Sequence, residues 1–100
     1  MRRGEVWTAT RAGHDRLVVI VGHDALTGAR DGVLVVPISD VRAATLIEPA
    51  LAYADGGPVG VAMTPRVGEV GKSYLTGARG RLAPESVESL DVALRAVLDL

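Results

Sequence analysis

Arg16-Leu17-Val18-Val19-Ile20-Val21 and Val33-Leu34-Val35-Val36-Pro37-Ile38-Ser39 are the two most strongly β-forming stretches of this chain. Their aliphatic, β-branched composition is typical of buried strands. A polar residue stands at one end of each stretch, Arg16 in the first and Ser39 in the second. Because such strands form a rigid floor, polar side chains at their ends can be directed at a ligand. These ends are therefore the first candidates for a functional site.

The composition indicates one folded domain, which we expect to span residues 1–100. Apolar residues make up 48% of the chain. No apolar run approaches the roughly 18–20 residues that a membrane span needs. Met1-Arg2-Arg3 is not followed by the apolar core of a signal peptide, so we expect a soluble, cytoplasmic protein. The absence of cysteine excludes disulfides and thiolate metal sites.

The charges are unevenly distributed along the chain, whose net charge is −1. Residues 84–100 carry a net charge of −3 and the rest carries +2. The total argues against a nucleic-acid-binding protein, but the basic remainder weakens that argument. Ten of the eleven basic residues are arginine, which suits forked contacts with phosphate. A GC-rich genome would explain the same arginine share equally well.

The rest of the sequence alternates short strands with turns. Gly, Asp and Pro mark a turn at Asp55-Gly56-Gly57-Pro58 and a turn-rich loop over 25–32. Thr45-Leu46-Ile47-Glu48 resembles a strand inside the otherwise ambiguous segment 41–53. The other predicted strands are 5–10, 17–21, 33–38 and 59–63, with a connection over 11–15 and short pieces at 67–70 and 78–82.

The last element is predicted to be a helix over about residues 84–98. Pro84 suits a first helical position, and Glu85 and Glu88 suit the positive end of the helix dipole. Strands followed by a single helix predict an α+β, mainly β fold, with the helix docked on a small antiparallel sheet or barrel. The apolar stripe expected to pack on the core is Val87, Leu90, Leu94, Val97 and Leu98.

Four motifs together resemble the MazF/PemK (Kid) family of toxins from toxin–antitoxin systems. None of them is specific alone, but their order and spacing match the family over essentially the whole chain. The motifs are Arg3-Gly4-Glu5-Val6-Trp7, Arg16 to Asp24, Val35-Val36-Pro37-Ile38-Ser39 and Gly80-Arg81-Leu82-Ala83-Pro84-Glu85, with Leu98-Asp99-Leu100 at the end.

The resemblance implies an SH3-like antiparallel barrel with a C-terminal helix, which forms a homodimer. It also implies sequence-selective cleavage of single-stranded RNA by an mRNA interferase, without metal or any other cofactor. In that chemistry the ribose 2′-OH attacks the neighbouring phosphate and leaves a cyclic phosphate and a 5′-OH. A small cognate antitoxin is the implied partner, with a disordered tail that lies across the RNA groove.

The chain departs from the family pattern in three places. The first loop is shortened, although Ala12-Gly13-His14 resembles the Kid-type version in which the histidine belongs to the active site. Kid-type toxins carry an arginine and an aspartate before a Pro-Arg pair. If Pro65-Arg66 marks that place, Val61 and Met63 stand there and can do no acid–base work. The usual Thr-Val/Ile-Asp-Lys-x-Arg-Leu is replaced over 68–75.

Three residues are the candidate catalytic groups. Arg16 would stabilise the charge that develops on phosphate, unless it only pairs with Asp15 or Asp24. Ser39 would donate a hydrogen bond to the phosphate, unless it merely caps a turn. His14 would carry a proton, since histidine titrates near neutral pH, unless it is simply a solvated loop residue.

Six further polar residues are candidates for RNA binding, although each could be an ordinary surface residue. With Trp7 expected in the core or at a dimer contact, the chain offers little aromatic surface for base stacking. Hydrogen bonds and groove shape would then carry specificity. The six are Arg11, His23, Asp24, Arg30, Arg42 and Lys72.

Two other functions remain open at this stage. A CcdB-like protein of the same fold poisons DNA gyrase by binding and without catalysis, but its Trp-Gly-Ile-type tail is absent from Val97-Leu98-Asp99-Leu100. A degenerate, non-catalytic member that binds RNA or a partner is the second alternative. The missing Arg/Asp pair keeps that alternative open.

Overall fold

The computed structural model describes residues 1–99, apart from the side chains of residues 25–27. Within this part of the chain there is no helix long and apolar enough to cross a membrane. The strands described are β1 (Glu5–Arg11), β2 (His14–Ile20), β3 (Gly32–Ser39), β4 (Ala50–Ala52), β5 (Pro58–Ala62), β6 (Gly68–Gly71) and β7 (Leu75–Arg81). The helices are α1 (Asp24–Ala29) and α2 (Pro84–Leu98), with 3₁₀ turns at Thr64–Arg66 and Lys72–Tyr74.

The strands form one curled antiparallel sheet in the order β4-β5-β3-β2-β1-β7, and β6 adds to β3. The strand β3 is the centre of the sheet because it pairs with three others. Residues 35–37 of β3 pair with β2, residues 32–35 with β6 and residues 38–39 with β5. The sheet is a half-barrel that carries the C-terminal helix, which confirms the predicted mainly β fold class.

Both faces of the central strands are covered by apolar side chains. Alternate residues of a strand point to opposite faces, so Val18 and Ile20 join one core cluster and Val19 joins the other. This double burial explains why the sequence of β2 is an unbroken aliphatic run. Trp7 is half-buried and packs against the cluster of Val18 and Ile20, as its strand position predicted.

The C-terminal helix covers the cluster that contains Val19. Leu90 and Leu94 are buried, and the Ser86 Oγ accepts a hydrogen bond from the Ala52 N–H at 2.9 Å, which ties α2 to β4. The helix bounds agree with the prediction. Its apolar stripe is buried only in part, since Leu98 is 51% exposed. Leu100, the last residue of the C-terminal motif, lies outside the described residues.

Three local predictions were wrong. The segment 25–32 is largely helix α1 rather than an irregular loop. Thr45–Glu48 is a tight turn and not a strand, because the Thr45 N–H and the Glu48 carbonyl hydrogen bond at 2.9 Å. The connection 11–15 is only the two-residue turn Ala12-Gly13, with φ of 52° and 78°. Such a turn matches the twist of a hairpin, so β1 and β2 extend almost to its tip.

Candidate active site

A cleft opens where β2 and β3 separate. The two strands pair from Ile20–Val35 to Val18–Pro37, and no further pair follows. Beyond this point β3 turns to β5, while β2 continues into the hairpin with β1. Arg16 and Ser39 each lie two residues past the last pair, so alternation places them on one face, across the gap from each other. The ends of the two aliphatic runs therefore meet at one site.

The cleft has a volume of about 480 Å³ and a mixed lining. Its apolar part suits the packing of a sugar or base edge, and its polar part offers two cations, two carboxylates and a hydroxyl. The apolar residues are Leu17, Ile38, Val59 and Met63, and the polar residues are Asp15, Arg16, Ser39, Asp40 and Arg66.

Arg16 is exposed and makes no ion pair within residues 1–99. Arg16 therefore does not form an ion pair with its sequence neighbour Asp15. The other proposed partner, Asp24, lies at the start of α1 and accepts a hydrogen bond from the Arg3 N–H at 2.8 Å. The guanidinium of Arg16 is consequently available to an anion in the cleft.

Ser39 caps the turn that follows β3, and this leaves its proton available. Its Oγ accepts hydrogen bonds from the N–H groups of Val41 at 3.2 Å and Arg42 at 3.1 Å. A hydroxyl has two acceptor sites and one proton, so the proton is left to donate to a ligand. The structural and the functional interpretation of Ser39 are thus compatible.

Gly60 allows β5 to lie close behind Ser39. Its φ is 138°, and a Cβ at this position would stand 2.6 Å from Ile38 Cγ2 and 2.7 Å from the Ser39 carbonyl oxygen. Only glycine combines this backbone conformation with so close an approach. The position of Ser39 therefore depends on a residue that has no side chain.

The β1–β2 hairpin places two more of the predicted residues on the same face as Arg16. His14 is paired with Arg11, one same-face position beyond Arg16 and hence about 7 Å along the strand. His14 is exposed and does not line the cleft. The Arg11 guanidinium lies over the Tyr74 ring, 5.4 Å from its centre, a distance at which a cation is attracted to the ring face.

The remaining predicted RNA contacts do not line the cleft. Arg42 lies three residues after Ser39, and its guanidinium forms an ion pair with Glu48. Arg30 pairs with Glu69 at 3.1 Å, beyond the opposite end of β3. His23, Asp24 and Lys72 also lie towards that end, and none of them lines the cleft. The structure therefore keeps Arg42 beside Ser39, but it does not bring the other four residues together with Arg16 and Ser39.

Comparison with known proteins identifies the family. The PemK-like, MazF-like toxins of type II toxin–antitoxin systems match residues 2–98 of this chain. The chain belongs to this family. The resemblance inferred from the four motifs is thereby confirmed, and its match extends over the strands, the cleft and the C-terminal helix.

Solved structures of similar fold support the architecture of this PemK/MazF-family toxin. An endoribonuclease in complex with its cognate antitoxin, from a mycobacterial species, has a TM-score of 0.88 at 20% identity, covering 100% of this chain and 96% of that one. The MazE–MazF complex of Deinococcus radiodurans has a TM-score of 0.84 at 13% identity, covering 100% and 96%. The Mycobacterium tuberculosis toxin MazF-mt6 has a TM-score of 0.80 at 18% identity, covering 96% and 97%.

Three polar residues of the cleft were not among the predicted site residues of this toxin. The sequence signal for Arg66 is the Pro-Arg pair, and this residue reaches the cleft from the 3₁₀ turn that follows β5. The signal for Asp15 and Asp40 is their position next to Arg16 and Ser39 in the sequence. Met63, which stands before the Pro65-Arg66 pair, is buried and contributes only apolar surface.

Proposed function

We propose that this toxin is a sequence-selective endoribonuclease, an mRNA interferase that cleaves single-stranded RNA without metal. The observation that carries the proposal is the position of Arg16 and Ser39, which face one cleft from two strands. Family membership and the endoribonuclease relatives of the same fold support it.

The proposed reaction uses the RNA as its own nucleophile. The 2′-oxygen forms a bond to the adjacent phosphorus, and the bond from phosphorus to the 5′-oxygen breaks. The Arg16 guanidinium neutralises the charge on the phosphate oxygens, and the Ser39 hydroxyl donates a hydrogen bond to them. His14 gives a proton to the departing 5′-oxygen. The products are a cyclic phosphate and a 5′-OH.

The substrate would extend from the cleft over the hairpin. Arg11 lies on the face of Arg16, and Arg42 begins the loop after Ser39, so we assign both to backbone contacts. Contacts of His23, Asp24, Arg30 or Lys72 would require RNA that reaches the far end of β3. Those four assignments stay predictions.

The partners follow from the family rather than from the cleft. We propose that a small cognate antitoxin neutralises the toxin, and that the toxin acts in the cytoplasm as a homodimer of a single-domain chain. Complexes with antitoxin are described for the mycobacterial and Deinococcus radiodurans relatives. Size-exclusion chromatography with light scattering would show the dimer, and a monomer would contradict it.

The test is cleavage of a long single-stranded RNA in EDTA, with the cut ends mapped. We expect cuts at a defined short sequence that leave 5′-OH ends, and loss of these cuts in Arg16→Ala. The matched control is Arg95→Ala, because Arg95 is an exposed arginine of α2 outside the cleft. Cleavage by Arg16→Ala at the wild-type rate would contradict the proposed role of this residue.

The same experiment separates the alternatives. RNA that stays intact, together with DNA breaks in the presence of gyrase, would identify a gyrase-poisoning protein. Intact RNA without gyrase-dependent breaks would identify a non-catalytic binding protein, and a gel-shift assay would then show whether RNA is bound.

A further inference from the structure

We propose that Asp15 is the general base of the reaction, and that Thr10 and Thr76 position it. The proposal rests on the proposed RNA cleavage and supplies the group that this chain lacks at Val61 and Met63. Asp15 lines the same cleft as Arg16 and Ser39. Asp15 belongs to β2, in the β1–β2 hairpin, whereas Val61 belongs to β5. The proposed base therefore lies on a different strand from the one that carries Val61.

One carboxylate oxygen of Asp15 is held by a chain of hydroxyl groups. The Thr10 hydroxyl donates to Asp15 Oδ1 at 2.7 Å, and the Thr76 hydroxyl lies 2.8 Å from the Thr10 oxygen. The proton of Thr10 is already committed to Asp15, so Thr76 must donate to Thr10. The competing acceptor of Thr76, the Thr8 carbonyl, is farther away at 3.5 Å. The chain therefore runs in one direction, from β7 through β1 to Asp15.

This arrangement orients a carboxylate without neutralising it. Neutral hydroxyl donors restrict the rotation of Asp15 but bring no charge to it, and one lone pair of Oδ1 and both of Oδ2 stay available to accept a proton. Alternation points the side chains of Asp15 and Arg16 to opposite faces of β2, and the two form no ion pair within residues 1–99. Both still border the cleft, because the edge of β2 facing β3 is unpaired at this level.

The charged residues around Asp15 come from four elements. Arg16 of β2, Asp40 after β3 and Arg66 in the turn after β5 border the same cleft. Arg79 of β7 donates from its Nε to the Thr8 Oγ1 at 2.7 Å, on the face of β1 that also carries Thr10. Arg16 and Arg66 favour a phosphate in the cleft, and this phosphate brings its 2′-OH within reach of the carboxylate. Asp40 has no hydroxyl chain comparable to that of Asp15 among the described residues.

The proton transfer balances within the RNA and two side chains. The 2′-OH proton passes to Asp15 as the 2′-oxygen attacks phosphorus. The phosphorus–5′-oxygen bond breaks, and the leaving oxygen takes its proton from protonated His14. The free toxin is restored when Asp15 releases its proton to water and His14 takes one up.

The experiment compares Asp15→Asn with the wild-type toxin by steady-state cleavage kinetics. The amide has the shape of the carboxylate and can accept the Thr10 hydrogen bond, but it cannot serve as the base. We expect kcat to fall about 10²–10⁴-fold with KM nearly unchanged, the range typical of general acid–base catalysis. The acidic limb of the pH profile should disappear. Asp31→Asn, an exposed aspartate at the far end of β3, is the matched control and should cleave as the wild type does.

The positioning residues are tested by Thr10→Val and Thr76→Val. Both should lower kcat about tenfold, the effect of one misaligned hydrogen bond, and leave KM nearly unchanged. Thermal unfolding of each variant should stay within a few degrees of the wild type, which separates positioning of Asp15 from damage to the hairpin.

A substrate with sulfur in place of the bridging 5′-oxygen distinguishes base from acid, because a thiolate leaves without protonation. Asp15→Asn should remain slow on it, and recovery of the wild-type rate would identify Asp15 as the acid and overturn the proposal. Cleavage of ordinary RNA by Asp15→Asn at the wild-type rate, or loss confined to Asp40→Asn, would also overturn it. If the wild-type toxin itself leaves RNA intact, the proposed function fails and the role of Asp15 with it.

Discussion

The two ends of β3 carry similar side chains in different electrostatic surroundings. At the N-terminal end, Arg30 forms an ion pair with Glu69, and Asp24 accepts a hydrogen bond from the Arg3 backbone. At the C-terminal end, Arg16 faces Ser39 and makes no ion pair within residues 1–99. The residue type alone does not distinguish Arg16 from Arg30, whereas their ion pairing does.

The backbone explains this difference. At its N-terminal end β3 pairs with β6 on one edge, and on the edge that faces β2 its Leu34 carbonyl still accepts hydrogen bonds from the Val21 N–H at 3.0 Å and the Gly22 N–H at 3.3 Å. At its C-terminal end β3 leaves β2 and pairs with β5 through Ile38 and Ser39, which opens the cleft. A separation of strands exposes strand-end side chains that a continuous ladder would pair or bury. Topology therefore determines the site as much as residue identity does.

The largest effect is expected from exchanging arginine for lysine at both ends. In Arg16→Lys the forked contact with phosphate is lost although the charge remains, so kcat should fall about 100-fold. Arg30→Lys should stay within about twofold, because an exposed ion pair tolerates the exchange. Cleavage kinetics on one RNA oligonucleotide measure both. Equal losses would mean that the far end of β3 also takes part in cleavage.

Ser39 is expected to have the next largest effect. Ser39→Ala removes the proposed donor to phosphate and the acceptor of two backbone N–H groups, so kcat/KM should fall about tenfold or more. Ser39→Thr keeps the hydroxyl and should stay within about threefold of the wild type. A Thr variant as slow as the Ala variant would show that side-chain shape, and not the hydroxyl, is what the cleft requires.

A glycine-to-alanine exchange near each end tests the role of the backbone. Gly60→Ala should destabilise the fold by about 1–3 kcal/mol, because the new Cβ has no room beside Ile38 and Ser39 at a φ of 138°. Gly28→Ala meets open space in α1 and should be neutral or stabilise by up to about 1 kcal/mol. Urea unfolding measures both. A Gly60→Ala variant as stable as the wild-type toxin would show that β5 can move away from β3 without a loss of folding free energy.

The smallest effect concerns Glu5, the first residue of β1. Burial acts to raise the pKa of its carboxyl. Hydrogen bonds from the Arg2 N–H and Trp7 Nε1, with the N-terminal ammonium and Arg81, outweigh it and hold the pKa below 4.5. A lowered folded-state pKa contributes stability above the unfolded value and loses it as the pH falls.

This linkage gives a difference between the wild-type toxin and Glu5→Gln. At neutral pH the variant should melt slightly lower, and below about pH 4.5 the two melting temperatures should converge. Thermal unfolding followed by circular dichroism from pH 7 to pH 3 measures the convergence. Cleavage activity of the variant at neutral pH should equal that of the wild type, because Glu5 lies outside the cleft.

Local sequence signals predicted most of the secondary structure correctly. The aliphatic runs of β2 and β3 and the stripe of α2 are strong signals, since burial on both faces or on one stripe requires them. The strand assigned to Thr45–Glu48 was wrong, because Thr45 and Glu48 hydrogen bond to each other in a turn. A short apolar pair such as Leu46-Ile47 does not indicate whether the residues on either side of it will hydrogen bond to each other in a turn.

The sequence by itself determined the family, the aliphatic strands with polar ends, and Arg16 and Ser39 as candidates for one site. Only the tertiary structure decided that β2 and β3 separate between Val18 and Arg16, which opens the cleft. It also added Asp15, Asp40 and Arg66 to that cleft and left Arg30 and Lys72 outside it. The physical reason is that pairing with β5 and β6, and not the local sequence, sets where β3 leaves its neighbour. Contacts between distant segments thus decide which of several similar charged side chains line the cleft and which, like Arg30, form ion pairs outside it.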